Sequence, residues 1–129
     1  MSAADLSARP MVLVAEDEAM LRLVAVEMLS DAGFQVFDAG DGNAGLKILQ
    51  AEPRIDLLIS DIKMPGMNGY ELAEAGLALR PGLKVLLMTG YAQEPLPDKI
   101  REAGVHVIYK PFDFDMLSQL AKQLLAKSR

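Results

Sequence analysis

A chain of 129 residues, half of them apolar, is long enough to bury a two- or three-layer core and too short for a second folded domain. Eighteen acidic against thirteen basic residues give a net charge of −5, which disfavours direct contact with nucleic acid; with no cysteine and a single histidine, His106, disulfides, thiolate sites and histidine clusters are excluded. Any metal must then be a hard cation on oxygen ligands, and the lack of both a signal-peptide core and a run near eighteen or so apolar residues predicts a cytoplasmic chain with no membrane insertion.

Residues 1–9 are small, polar and aperiodic and read as a flexible arm, so the domain spans 10–129. Met11 to Ala15 is an apolar strand that runs into Glu16-Asp17-Glu18. From Ala19 the spacing of Leu21, Val24, Ala25, Met28 and Leu29 predicts a helix of about four turns, which Gly33 ends as a left-handed cap. Met20, Leu23 and Val26 on its other flank read as widening the core stripe rather than as a partner patch. Gln35 to Ala39 is a short strand, Gly40-Asp41-Gly42 a turn, and Asn43 to Ala51 a helix turning Ala44, Leu46, Ile48 and Leu49 inward.

Leu57, Leu58 and Ile59 have the pattern of a strand buried on both faces, and Pro65-Gly66 keeps a helix from following at once, so Asp61 stands at the strand's C-terminal end. Asn68 then caps a helix with Tyr70, Leu72, Ala73, Leu77 and Leu79 inward, which stops before Pro81-Gly82. Lys84 to Met88 is a buried strand ending in Thr89-Gly90-Tyr91. Pro95 and Pro97 delay and shorten the fourth helix, over by Gly104. Val105 to Tyr109 makes the fifth strand and delivers Lys110-Pro111; Phe112 to Asp115 opens a last helix with Leu117, Leu120, Ala121 and Leu124 inward and Lys122 and Lys127 toward its C-terminus. His106 reads as an exposed or edge-strand residue, and Met64 and Met67 as loop packing.

Five strands alternating with five helices through short loops require a parallel sheet with helices on both faces, because each right-handed crossover must bury an apolar stripe. Four strands end in polar residues: Glu16-Asp17, Asp61, Thr89 and Lys110. Taken singly, the first acids serve a helix dipole, Thr89 is a strand residue and Lys110 a solvated rim lysine. Taken together, they form a site. Three neighbouring carboxylates raise one another's proton affinity unless a cation sits among them, and magnesium, which takes a few carboxylates together with carbonyl, water and phosphoryl oxygens, is the cation favoured. A carboxylate placed there with a hydroxyl and an ammonium opposite suits the acceptance of a phosphoryl group.

These segments resemble the receiver domains of two-component response regulators, over about Pro10 to Lys127. Val12-Leu13-Val14-Ala15-Glu16-Asp17-Glu18 is similar to the family's first strand and acidic pair, Ser60-Asp61-Ile62-Lys63-Met64-Pro65-Gly66-Met67-Asn68-Gly69 to its phosphoacceptor loop, and Met88-Thr89-Gly90-Tyr91-Ala92 and Tyr109-Lys110-Pro111-Phe112 to its switch-threonine and lysine segments. The resemblance implies an α/β, flavodoxin-like three-layer sandwich with a doubly wound five-stranded parallel sheet of order 2-1-3-4-5. It implies Asp61 as phosphoacceptor, Thr89 and Lys110 as the groups that contact the phosphoryl group, and Mg2+ held by Glu16, Asp17, Asp61 and the backbone carbonyl of Lys63. It also implies a cis Lys110-Pro111 bond.

Tyr91 and Lys63 stand where the family's residues flank the phosphoryl group, either tuning the access of water or remaining loop residues with exposed heads. The chain departs from the family pattern twice. Glu16 replaces the commoner aspartate, its extra methylene favouring a metal held through water, and Val107 occupies the position of the usual switch aromatic, so the output surface is expected to be atypical.

The function implied is a switch in a phosphorelay, with weak intrinsic phosphotransfer and dephosphorylation rather than an enzyme's activity. The partners implied are a histidine kinase or histidine phosphotransfer protein, which approaches the helix after Glu18, and a downstream protein target. The resemblance fits a stand-alone receiver and one excised from a hybrid kinase or longer regulator alike. The alternative is a pseudo-receiver, a protein-interaction module without phosphorylation. A haloacid-dehalogenase-like phosphohydrolase would need an aspartate at Lys63, and a mononucleotide binder a Ser/Thr/Gly-rich cradle at Glu16-Asp17-Glu18.

Overall fold

The computed structural model describes residues 9–90 and 95–126. The arm expected over residues 1–9 lies outside them but for Arg9, as do Tyr91 and Lys127. The elements alternate as β1 (Met11–Ala15), α1 (Ala19–Asp31), β2 (Gln35–Ala39), α2 (Gly42–Ala51), β3 (Ile55–Asp61), α3 (Gly69–Leu79), β4 (Lys84–Thr89), α4 (Asp98–Glu102), β5 (His106–Tyr109) and α5 (Phe114–Ala126). The strands form one parallel sheet in the order β2-β1-β3-β4-β5. Parallel strands must be covered on both faces, and the residue pattern supplies both.

Along β1 and β3 successive side chains go to opposite layers. Leu13, Ala15 and Leu58 join Leu49, Leu72 and Ile100 on one face. On the other, Val12, Val14, Leu57 and Ile59 join Leu29 and Leu117. The register between β1 and β3 slips beside Met11, where the chain skips Asp56; the Asp56 carboxylate restores the lost bond by accepting the Met11 N–H at 2.9 Å. Farther along, Ala15 pairs with Ser60 and Met88 with Asp61, while Tyr109 pairs with Thr89. That register carries Glu16, Asp61, Thr89 and Lys110 to one rim, since each is the last residue of its strand or the one beyond.

Local chemistry sets the helix ends. Asn68 Oδ1 accepts the Glu71 N–H at 2.9 Å while Glu71 Oε1 accepts the Asn68 N–H at 3.0 Å, a reciprocal cap worth about 1 kcal/mol. Gly33 ends α1 with φ +103°, as expected of a left-handed cap. Asp41 caps α2 by accepting the Ala44 N–H at 2.7 Å, so Gly42 is helical and not part of a turn. α4 has only five residues, in keeping with its flanking prolines.

Two apolar readings are corrected. Met20 and Leu23 are 67% and 54% exposed, so they do not widen the core stripe of α1, whose buried residues are Ala25 and Leu29 alone. Leu79 is 46% exposed; at that end of α3 it is Arg80 that turns inward, donating to the carbonyls of Pro53 and Ile55 at 3.2 Å each and to that of Leu49.

The closest packing lies under the β3–α3 loop. A Cβ on Gly69 would overlap the Asp61 carbonyl oxygen and come 2.8 Å from the Ile62 Cα, neither of which is a flexible side chain. Gly69→Ala is expected to cost about 3 kcal/mol of unfolding free energy in urea. Gly82→Ala, with nothing within 4 Å of the added carbon, serves as a control and is expected to change stability by under about 1 kcal/mol.

Candidate functional site

Two carboxylates and an ammonium meet where β1, β3 and β5 end. Lys110 Nζ lies 3.2 Å from Asp61 Oδ2 and 3.6 Å from Glu16 Oε1, joining residues 49 apart in the chain. Carboxylate oxygens of Glu16, Asp17 and Asp61 all lie within 4.8 Å of one another. Glu16 and Asp61 are buried and Asp17 is exposed, so the cluster opens to solvent on the Asp17 side.

Glu16 is the strained member. Only 2% of it is exposed, against an apolar cavity of about 240 Å³ lined by Val14, Leu21, Ala25, Met88 and Phe112, with Glu16 and Lys110 at its polar end. That burial pushes its carboxyl up to about 7, and Asp61 adds to the rise; the Glu18 N–H, bound to Glu16 Oε2 at 3.1 Å, and Lys110 pull the other way without cancelling it. Burial also lowers the proton affinity of Lys110, but Asp61 and Glu16 together outweigh it and leave that affinity above the ordinary lysine value. One ammonium among three carboxylates leaves the cluster short of positive charge. An all-oxygen, negatively charged donor set of this kind fits a hard divalent cation.

Thr89 is buried at the end of β4, and its carbonyl accepts the Lys110 N–H at 2.7 Å, which locks the two strand ends together. The Lys110–Pro111 bond is cis. Lys63 is exposed in the loop after β3. Met64 is buried and Met67 packs against the same core, and His106 is exposed on the edge strand. Three supports escaped the reading of the sequence. Ser60 Oγ donates to the Asp61 carbonyl at 2.8 Å. Gly42 and Gly69 allow the β3–α3 loop to approach α2 and β3 closely. Arg22 donates to the Glu16 carbonyl and to Asp38. A glycine directly after the N-cap and a lone arginine in an apolar helix were the available signals.

The description "response regulator receiver domain" matches residues 12–122. This chain belongs to that family. The receiver domain is 37% identical over 117 residues to the response regulator receiver protein CpdR of Brucella abortus (strain 2308), covering 89% of this chain and 97% of that protein. It is 30% identical over 115 residues to sporulation initiation phosphotransferase F of Bacillus subtilis (strain 168), covering 88% and 92%. Among solved structures, the receiver domain of the hybrid histidine kinase CckA aligns with a TM-score of 0.76 at 34% identity, over 89% of this chain and 98% of that one. A CheY-like receiver domain protein of Methanospirillum hungatei JF-1 aligns with a TM-score of 0.85 at 30% identity, over 94% and 97%.

The buried Glu16 carboxyl has a thermodynamic signature. The folded receiver domain keeps a proton on Glu16 up to about pH 7, whereas the unfolded chain releases it near 4.5. The resulting stabilisation is complete below about pH 4.5 and lost as pH rises through about 7, an effect on the order of 3 kcal/mol. With EDTA present, the wild type should therefore lose stability relative to Glu16→Gln between pH 5 and 8, as read from paired melting curves. Parallel curves for the two proteins would contradict the raised proton affinity of Glu16.

Proposed function

We propose that this receiver domain accepts a phosphoryl group on Asp61 from a phosphohistidine of a histidine kinase or histidine phosphotransfer protein in the cytoplasm, and that the modification switches a surface recognised by a downstream protein. The contact of Lys110 with both Asp61 and Glu16 at the carboxylate cluster is the observation that carries this reading. An Asp61 oxygen attacks phosphorus, the P–N bond breaks, and its electron pair leaves with the imidazole, which takes up a proton. The product is an acyl phosphate, and attack by water on phosphorus returns the carboxylate and releases inorganic phosphate.

Glu16, Asp17 and Asp61 with the Lys63 carbonyl would hold Mg2+, which when bound supplies positive charge opposite the phosphoryl oxygens. Lys110 keeps its proton because of the two carboxylates beside it, so it is already charged when the phosphoryl group arrives. The Thr89 hydroxyl is the hydrogen-bond donor assigned to that group. Met20 and Leu23 expose apolar surface on α1, directly after the acidic loop, where the phosphodonor approaches. No observation favours the pseudo-receiver alternative, since acidic pair, acceptor and lysine stand together. No helix among the described residues is long and apolar enough to cross a membrane.

Incubation with acetyl phosphate and Mg2+ should add one phosphoryl group to the wild type by intact mass and none to Asp61→Asn, and Lys110→Ala should be labelled about a hundredfold more slowly. Labelling of Asp61→Asn would remove Asp61 from its role. Beryllofluoride should shift amide resonances of Thr89 and Tyr109 as well as those of the acidic loop. Shifts confined to α1 would refute a relay through β4.

A further inference from the structure

We infer that Arg22 is a positioning residue for the acidic pair: its guanidinium fixes the Glu16–Asp17 peptide and thereby sets how tightly the cluster holds a divalent cation. The inference rests on the reading of Glu16, Asp17 and Asp61 as a cation site. Only three residues connect β1 to α1, and Glu18, the N-cap of α1, makes no side-chain cap bond. The loop's internal bond, from the Glu18 N–H to Glu16 Oε2, occupies an oxygen of the cluster itself. Rigidity has to come from elsewhere.

It comes from one turn into α1. The Arg22 N–H donates to the Glu18 carbonyl at 3.0 Å, its Nη1 to the Glu16 carbonyl at 2.8 Å and its Nε to Asp38 Oδ2 at 3.2 Å. The guanidinium lies over Gly40, where an added Cβ would come 3.2 Å from Nη1. The N–H of Glu16 is meanwhile bound to the Ala39 carbonyl at 3.1 Å. Both backbone polar groups of Glu16 are thus anchored to β2, one directly and one through Arg22 and Asp38. Asp17 follows immediately and is exposed, so the orientation of the preceding peptide governs where its carboxylate stands.

The guanidinium serves the two acceptors from two nitrogens held in a rigid plane; lysine has one nitrogen on a flexible stem and does not reproduce that fixed geometry. Asp38 is half-exposed, and an ion pair of that kind adds little to stability, so the consequence belongs in cation binding rather than in melting. The sign separates positioning from plain electrostatics. As a mere nearby positive charge Arg22 would repel a cation, and its removal would tighten binding. As a positioning residue it is needed for binding, and its removal weakens it.

Calorimetric Mg2+ titrations of the wild type, Arg22→Met, Arg22→Lys and Asp38→Asn, with amide hydrogen exchange of the metal-free proteins, test this. Arg22→Met should weaken Mg2+ binding about tenfold and Arg22→Lys nearly as much, with a smaller loss in Asp38→Asn, which keeps the bond to the Glu16 carbonyl. Exchange at the Asp17 and Glu18 amides should quicken in Arg22→Met without a matching change in the core strands. Equal or tighter binding by Arg22→Met, wild-type binding by Arg22→Lys, or unchanged exchange at Asp17 would overturn the inference. Absence of Mg2+ binding by the wild type would defeat the cation reading and this inference with it. Normal wild-type binding with an indifferent Arg22 would defeat this inference alone. Should Arg22→Met fail to fold, Arg22→Lys and Asp38→Asn carry the same decision.

Discussion

Three carboxylates held within 4.8 Å of one another, two of them on one ammonium, are the arrangement on which the rest of the molecule depends. Left to themselves, like charges at that spacing separate or take up protons, and the proton affinity of Glu16 is elevated chiefly by burial, with Asp61 adding to it. No local sequence preference could hold them together. The acids come from β1 and β3 and the lysine from the far end of the sheet in sequence, so their meeting is a product of strand register, which the apolar layers on both faces keep from slipping. Repulsion at the rim is borne by hydrophobic burial elsewhere. A slip of one residue would send every leucine and valine of a strand to the wrong layer.

The two ends of the sheet solve different problems. At the N-terminal edge the polar side chains work as staples: Asp56 takes the N–H that the skipped register leaves behind, and Arg80 closes the carbonyl ends of α2 and the β3 entry. Those charges are spent on backbone groups. At the C-terminal edge backbone bonds between Thr89 and Lys110 and between Glu16 and Ala39, with Arg22 and Ser60 on the carbonyls of Glu16 and Asp61, leave side-chain oxygens of the acids other than Glu16 Oε2 for a ligand. The chemistry resides at the edge where the fold does not consume it.

This division also explains what could be read from the sequence. The doubly buried runs, the proline-shortened α4 and the Asn68 cap are signals carried within a few residues, and the structure reproduces them. The grouping of Glu16, Asp17, Asp61 and Lys110 was legible as a shared place at strand ends, whereas the strand order came through family resemblance, because no spacing rule yields a contact across 49 residues. The width of a helix's buried stripe is not a local property, since it depends on what lies opposite; Met20 and Leu23 were misjudged for that reason. Arg22 and Gly42 were missed for a related one. Their partners, the Glu16 carbonyl and the Met67 backbone, belong to segments that only the folded chain brings near.

Val107 narrows how a change at Asp61 can travel. It pairs with Leu87, is half-buried against the layer that contains Ile100, and as a β-branched residue is held stiffly about χ1, so it cannot supply the large ring rotation of an aromatic. Two residues on, Tyr109 points to the same face of β5, is paired in register with Thr89 and is 46% exposed. Directly opposed residues on neighbouring strands place their side chains in contact range, so Tyr109 is the register neighbour of Thr89 on the edge strand. Because the Lys110 N–H is bound to the Thr89 carbonyl, the backbone just after Tyr109 is tied to the rim while its ring is about half-exposed at the edge. Under the proposed function, the exposed aromatic ring that β5 offers beside the site stands at the end of the strand and not in its middle.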